Sequence, residues 1–144
     1  MAPPVNIIVA DFERDYAVIR GVRFAVFVDE QQIPRELEMD DRDVACTHWL
    51  AIDEHGNPIG TVRLDIDAGG KVGRLAVLAH ARRVGAGRAL MERVHDLARA
   101  RGLASVWCHA QQSAAPFYSR LGYRTTSEPF EEAGIEHVKM ERDL

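Results

Sequence analysis

The stretch from Gly73 to Arg101 constrains the fold of this chain more than any other. A strand-like run, Gly73-Arg74-Leu75-Ala76-Val77-Leu78, leads into Arg82-Arg83-Val84-Gly85-Ala86-Gly87-Arg88-Ala89-Leu90, and an amphipathic helix continues from about Gly85 to Arg101. Glycine lets the backbone turn tightly and keeps its amides clear of side chains. The start of the helix adds unpaired N–H donors and the positive end of a dipole. With arginines at 82, 83 and 88, the stretch is suited to holding a pyrophosphate. A glycine turn that merely starts a helix is the competing reading, and the surrounding sequence has to decide between them.

At 144 residues the chain is long enough for one domain with a single core. Apolar and charged fractions of 47% and 28% are those of an ordinary globular protein. No apolar run approaches the roughly 20 residues of a membrane span, and Met1-Ala2-Pro3-Pro4 lacks the basic-then-apolar layout of a secretory leader. Cys46 and Cys108 show no framework spacing, so reduced thiols and a cytosolic location are expected. No Cys or His pair has a short ligand spacing, and no metal site is expected.

The net charge of −4 is unevenly spread: residues 1–70 carry 14 acids against 6 bases, and residues 71–101 carry 8 bases against 2 acids. A basic segment centred on the glycine turn of an acidic chain points to a local anion site. A nucleic-acid surface would need a broader basic face with interleaved aromatics.

Along the chain, residues 5–10 read as a strand and residues 12–27 as an amphipathic helix. Residues 28–45 are acidic and irregular, a loop or a short second helix. Residues 46–53 and 58–67 read as strands joined at His55-Gly56-Asn57-Pro58, and Gly69-Gly70 turns into the strand at 72–78. Leu103 to Ala110 reads as a strand parallel to that one, because a helix crosses over between them. A short helix from about Ser113 to Leu121 and strands at 123–127 and 136–142 complete the chain. The expected fold is α/β: one mixed, mostly antiparallel sheet with flanking helices.

Two nucleotide loops are excluded. The triphosphatase loop requires Lys-Ser or Lys-Thr after its last glycine, and a dinucleotide fingerprint requires a third glycine and a later acid. Position 90 is Leu, and no acid lies near Ser105.

Arg82-x-x-Gly85-x-Gly87, preceded by Leu75-Ala76-Val77, resembles the acyl-CoA loop of the GNAT acetyltransferase superfamily. Gln111-x-x-Ala114-x-x-Phe117-Tyr118-x-x-x-Gly122-Tyr123 resembles that family's second signature, with Gln111 at a usual Asn position and Tyr123 at a usual Phe. Arg83 stands where many relatives have glycine. Phe24 to Pro34, Glu38-x-Asp40-x-x-Asp43, His48 and Gly134 to Met140 are similar to the small ElaA-like branch.

The resemblance implies acetyl-CoA or another short acyl-CoA as cofactor, and direct transfer to an amine in a ternary complex. It implies a splayed parallel strand pair that admits the pantetheine arm. Leu75, Ala76 and Val77 would pair with that arm by their backbone, and Arg82, Arg83, Val84, Gly85, Ala86, Gly87, Arg88 and Ala89 would surround the diphosphate. Gln111, Ala114, Phe117 and Tyr118 would complete the cofactor site. Phe27, Glu30, Gln31, His48, Arg63, Arg74 and His137 would face the acceptor, a small-molecule or peptide amine. A homodimer is compatible with the family. A non-catalytic acyl-CoA-binding regulator is the alternative function.

Tyr118 is the candidate acid for the departing sulfur; packing in the core is its structural alternative. Glu36, Glu38 and Asp40 alternate with Leu37 and Met39, so an extended segment would align three carboxylates above two apolar anchors. Glu38 is then the first candidate for general base and Asp40 the second, against a solvated acidic loop. His48, His109 and His137 fall in predicted strands and titrate in the right range, with His109 expected to face the acyl group. Arg63 and Arg74 either hold a substrate carboxylate or pair with Asp65 or Asp67, and the ion-pair reading is preferred.

Overall fold

The computed structural model describes residues 4–144. Met1 to Pro3, which bear on the leader expectation, lie outside the described residues. Strand β1 (Asn6–Ala10) is followed by α1 (Tyr16–Arg23), a π-helical turn (Phe24–Glu30), the single turn α2 (Arg35–Glu38) and a 3₁₀ turn (Asp43–Ala45). β2 (Thr47–Ile52), β3 (Pro58–Asp65) and β4 (Lys71–Val77) form a meander, and α3 (Ala86–Ala100) crosses over to β5 (Ser105–Gln111). α4 (Ala115–Arg120), β6 (Arg124–Thr125), β7 (Phe130–Glu132) and β8 (Ile135–Asp143) close the chain. The sheet order is β1-β2-β3-β4-β5-β8-β6, with β7 on the side of β8. β4–β5 is the parallel pair and the other pairings are antiparallel.

Alternation along the strands sorts side chains between two layers. Trp49, Ala51, Leu64, Val72, Val106, Cys108 and Met140 pack under Leu90, Met91, Val94 and Ala98 of α3. On the opposite face, Leu50 meets Ile19 of α1, and Ala76 meets Val22, Val26 and Phe27. Val72 and Ala76 are four apart and should share a face, yet they lie in opposite layers. A bulge reverses the alternation: Thr61 and Arg63 of β3 oppose Ala76 and Gly73 of β4, so β4 carries one extra residue. Arg74 sits in the bulge with φ of 55°.

Several boundaries depart from the expectation. Helix α1 begins at Tyr16 rather than residue 12, because Asp11 and Asp15 side chains accept backbone N–H bonds from Arg14 and Asp11 at 2.8 and 2.9 Å. It continues as a π turn rather than ending at Phe27, with the Gln31 N–H reaching Val26 five residues back. Leu103 is spent on capping α3 through its N–H to Ala98, so β5 begins at Ser105. Residues 123–127 give a two-residue strand. β7 was not anticipated, although Ala133-Gly134 with φ of 53° and 77° is a two-residue hairpin turn into β8.

Candidate active site

β4 and β5 are joined by a single ladder pair, Lys71 with Trp107, and then diverge. Beyond that rung the β5-facing edge of β4 has no strand partner among the described residues, while its other edge is bonded to β3 through Val77–Gly60 and Ala76–Thr61. A cavity of about 1090 Å³ fills the gap and connects the two faces of the sheet.

On the α3 face the cavity is lined by Arg82, Arg83, Gly85, Ala86, Gly87 and Arg88, together with Ala114, Phe117 and Tyr118. Gly85 is the N-cap of α3 with φ of 87°, a left-handed conformation that glycine adopts without strain. The first helical bond to this turn is donated by Ala89 N–H to the Gly85 carbonyl, leaving the earlier amides of the helix open. Gly87 is required for a different reason: a Cβ there would meet the Phe117 ring at 3.3 Å. Arg83 has φ of 68°, which accounts for glycine being usual at this place in the resembling family. Val84 and Ala89 lie outside the cavity lining and pack against the core.

Arg82 does not point into the loop alone. Its guanidinium forks onto Glu30 at 2.6 and 2.9 Å and donates to the Val77 carbonyl at 2.9 Å. The pair is exposed on both sides, and such a pair contributes at most about 1 kcal/mol, so a diphosphate can displace Glu30. Glu30, expected at the acceptor, is thus a partner of the loop and lies outside the cavity lining.

Tyr118 is 8% exposed and lines the cavity. Its ring packs edge-on against Phe117 and Tyr123. No buried polar side-chain atom lacks a partner among the described residues, and the Tyr118 hydroxyl bonds to none of them, so it retains access to the cavity. Burial, assisted by Cys108, raises its pKa well above the ordinary value and keeps the phenol protonated. Cys108 is itself pushed up to about 12 by burial, which rules it out as a thiolate nucleophile.

The opposite face overturns the expected carboxylate row. Residues 35–38 are a helical turn, not an extended segment, so Leu37 points outward and Glu38 inward, 2% exposed. Glu38 is held by Arg23 at 2.9 Å and Arg74 at 3.3 Å. Asp43 joins Arg23 and Arg63, and Asp40 joins Arg63 and Arg74. Burial raises the Glu38 carboxyl against the pull of Arg74 and Arg23. Burial also opposes ionisation of Asp40, but the hydrogen bonds and charge of Arg63, then Arg74, outweigh it and hold the carboxyl at about 2. Arg63 and Arg74 are therefore ion-paired as preferred, but with Asp40, Asp43 and Glu38. Asp65 is taken by Arg42 at 2.8 Å. The carboxylate partners of Arg63 and Arg74 lie 20 to 36 positions away, and nothing local announces them.

His48 is corrected as an acceptor contact: it is 2% exposed, bonds the Asp43 carbonyl at 2.8 Å, stacks on Phe12 and lies outside the cavity lining. His109 and His137 do line the cavity. Nδ1 of His109 is 3.0 Å from Glu132, whose other oxygen is 3.7 Å from Nε2 of His137. Glu132, on the unanticipated β7, is the residue that sequence reasoning missed. Phe27, Gln31 and Gln111 also face the cavity, the two glutamine side chains bonding at 2.7 Å.

Residues 13–144 match the family described as "Acetyltransferase (GNAT) domain". The uncharacterized N-acetyltransferase YjcF of Bacillus subtilis (strain 168) is 37% identical over 124 residues, 85% of this chain and 88% of that one. An acyl-CoA N-acyltransferase from Pseudomonas aeruginosa superposes with a TM-score of 0.84 at 27% identity, covering 96% of this chain and 99% of that one. Escherichia coli ElaA gives 0.80 at 25% identity, with 97% and 99% covered. The parallel strands that part after one rung, the glycine-capped helix beside them and these likenesses lead to one conclusion: the chain belongs to the GNAT acetyltransferase family.

Proposed function

We propose that this chain is an acyl-CoA-dependent N-acyltransferase that moves an acetyl group to a primary amine, small-molecule or peptide, with both substrates bound at once. The observation that carries this reading is the cavity between β4 and β5, continuous from the glycine-capped helix to Tyr118 on one side and His109 on the other. The residues present fit an acyl-CoA: open amides and arginines for a diphosphate, an unpaired strand edge for an amide-bearing arm, and an apolar wall at Phe117. Acetyl-CoA supplies a thioester as the activated acyl group.

The remaining work falls to side chains and backbone already described. The β4 edge beyond Lys71 offers N–H groups that polarise a carbonyl, an effect worth roughly 3 kcal/mol of barrier where the donor is fixed in advance. Tyr118 keeps its proton at working pH and stands where it can give it to a departing thiolate. His109, oriented at Nδ1 by Glu132, has Nε2 left to take a proton from an amine. This places His109 ahead of Glu38 and Asp40 as proton acceptor, because both carboxylates are already clamped by arginines. The free thiols of Cys46 and Cys108 support a reducing, cytosolic setting.

The test is calorimetry with coenzyme A followed by thiol release from acetyl-CoA across a panel of amines. Binding with turnover of at least one amine is expected. Binding with silence across the panel would favour a regulator that reads acyl-CoA, and absence of heat would remove both.

A further inference from the structure

We propose that the acceptor amine also carries an anionic group, a carboxylate or a phosphate, and that Lys71 and Lys139 hold this group against the indole of Trp107. The inference deepens the acyltransferase reading and rests on it. Each carboxylate facing the cavity has a cationic or imidazole partner: Glu38 and Asp40 the arginines, Asp65 Arg42, and Glu132 the two histidines. Among the described residues, no carboxylate lining the cavity is left unpaired to recognise a purely cationic amine, despite the acidic first half of the chain.

Lys71, which lines the cavity, and Lys139, beside it on the same face of the sheet, outnumber Glu141, the one acid of this face near Trp107 that has no ion pair among the described residues. The ammonium groups of Lys71 and Lys139 lie 5.2 and 4.8 Å from the Trp107 ring centre, and among the described residues neither forms an ion pair. Glu141 opposes Trp107 across the β5–β8 ladder and still pairs with neither lysine. Both lysines are half-buried, with their ammonium groups lying near the indole. Two like charges drawn onto one ring raise the local potential, and an anion there is attracted to both. The platform is fixed, since Trp107 Nε1 donates to the Ala68 carbonyl at 3.0 Å.

Trp107 and His109 are two residues apart on the same face of β5, and both line the cavity. Successive same-face positions on a strand are about 7 Å apart. An acceptor whose anion rests by Trp107 thus presents its amine towards His109 if a few bonds separate the two groups. 3-Aminopropanoate and O-phosphoethanolamine have this layout and distinguish a carboxylate from a phosphate.

The experiment compares each probe with its neutral counterpart, 3-aminopropanamide or ethanolamine, by thiol release from acetyl-CoA. Binding is read in parallel from tryptophan emission of the coenzyme A-loaded protein, because Trp49 is sealed in the core and Trp107 faces the site. At least one anionic probe should exceed its neutral counterpart about 10-fold in kcat/KM and shift the emission, with Trp107→Phe abolishing the shift. Lys71→Met with Lys139→Met should collapse the preference to about one through KM, and Lys71→Arg with Lys139→Arg should restore it. A neutral or cationic amine preferred over both probes, no emission change in protein that binds coenzyme A, or a preference surviving the double Met variant would overturn the proposal. Absence of coenzyme A binding would instead remove the acyltransferase reading itself.

Discussion

Tyr118 and His95 show how one buried aromatic cluster separates chemistry from scaffold. Tyr118→Phe removes the hydroxyl proposed to protonate sulfur and leaves the packing on Phe117 and Tyr123 intact. Its kcat should fall about 100-fold with the KM for acetyl-CoA little changed, and wild-type turnover would exclude the phenol from the reaction. Behind it, His95 bonds the Tyr123 hydroxyl at 2.7 Å and accepts from Arg142 at 2.9 Å. Burial, then the Arg142 charge, lowers His95 from 6.5 to about 4. A histidine kept neutral in the folded state is protonated more readily when unfolded. Stability is therefore complete above pH 6.5 and falls towards pH 4, by about 2 kcal/mol at pH 5. Urea midpoints at pH 7 and pH 5 measure this, and His95→Gln should flatten the difference. That Tyr118 would face the cavity was legible in the sequence because Phe117-Tyr118 sits in a motif. The fate of Glu38 was not, since its partners Arg23 and Arg74 are joined to it only by folding.

At the scale of elements, the loop before α3 and the bulge of β4 perform complementary tasks. Gly85 is held by backbone conformation alone, with no atom within 4 Å of the place a Cβ would take, whereas Gly87 is held by the Phe117 ring. Gly85→Ala should cost about 1 kcal/mol of stability through its left-handed φ. Gly87→Ala should leave stability closer to wild type and weaken coenzyme A binding by pushing Phe117 into the cavity. Calorimetry and melting curves on the two variants would separate the causes, and equal effects on both quantities would refute the distinction. The strand–loop–helix order was readable because period and glycine placement are local. The bulge at Arg74 was not, because an arginine at positive φ carries no sequence mark and is imposed by pairing with β3. β7 was missed for a related reason: three residues give too little alternation to register.

Across the whole molecule, α1, α2 and the Asp43 turn are fastened to β3 and β4 by alternating charges, Arg23, Glu38, Arg74, Asp40, Arg63 and Asp43. Removing one charge from a buried network leaves its partners uncompensated, so Asp43→Asn should cost about 3 kcal/mol in urea unfolding. Burial opposes ionisation of Asp43, but Arg23 and Arg63 outweigh it and keep the carboxyl below its usual range. Its contribution is present above pH 3.8 and disappears as pH falls through its lowered value. A variant as stable as wild type would show the network to be dispensable.

The rung between Lys71 and Trp107 is the one ladder pair that joins β4 to β5. The protein carries an unfinished seam through its own middle, and an acyl-CoA arm bound there as proposed would knit the two half-sheets as the missing thread. Occupancy and mechanical integrity then become one quantity. Amide hydrogens flanking the seam should exchange quickly in the empty protein and slowly in the loaded one.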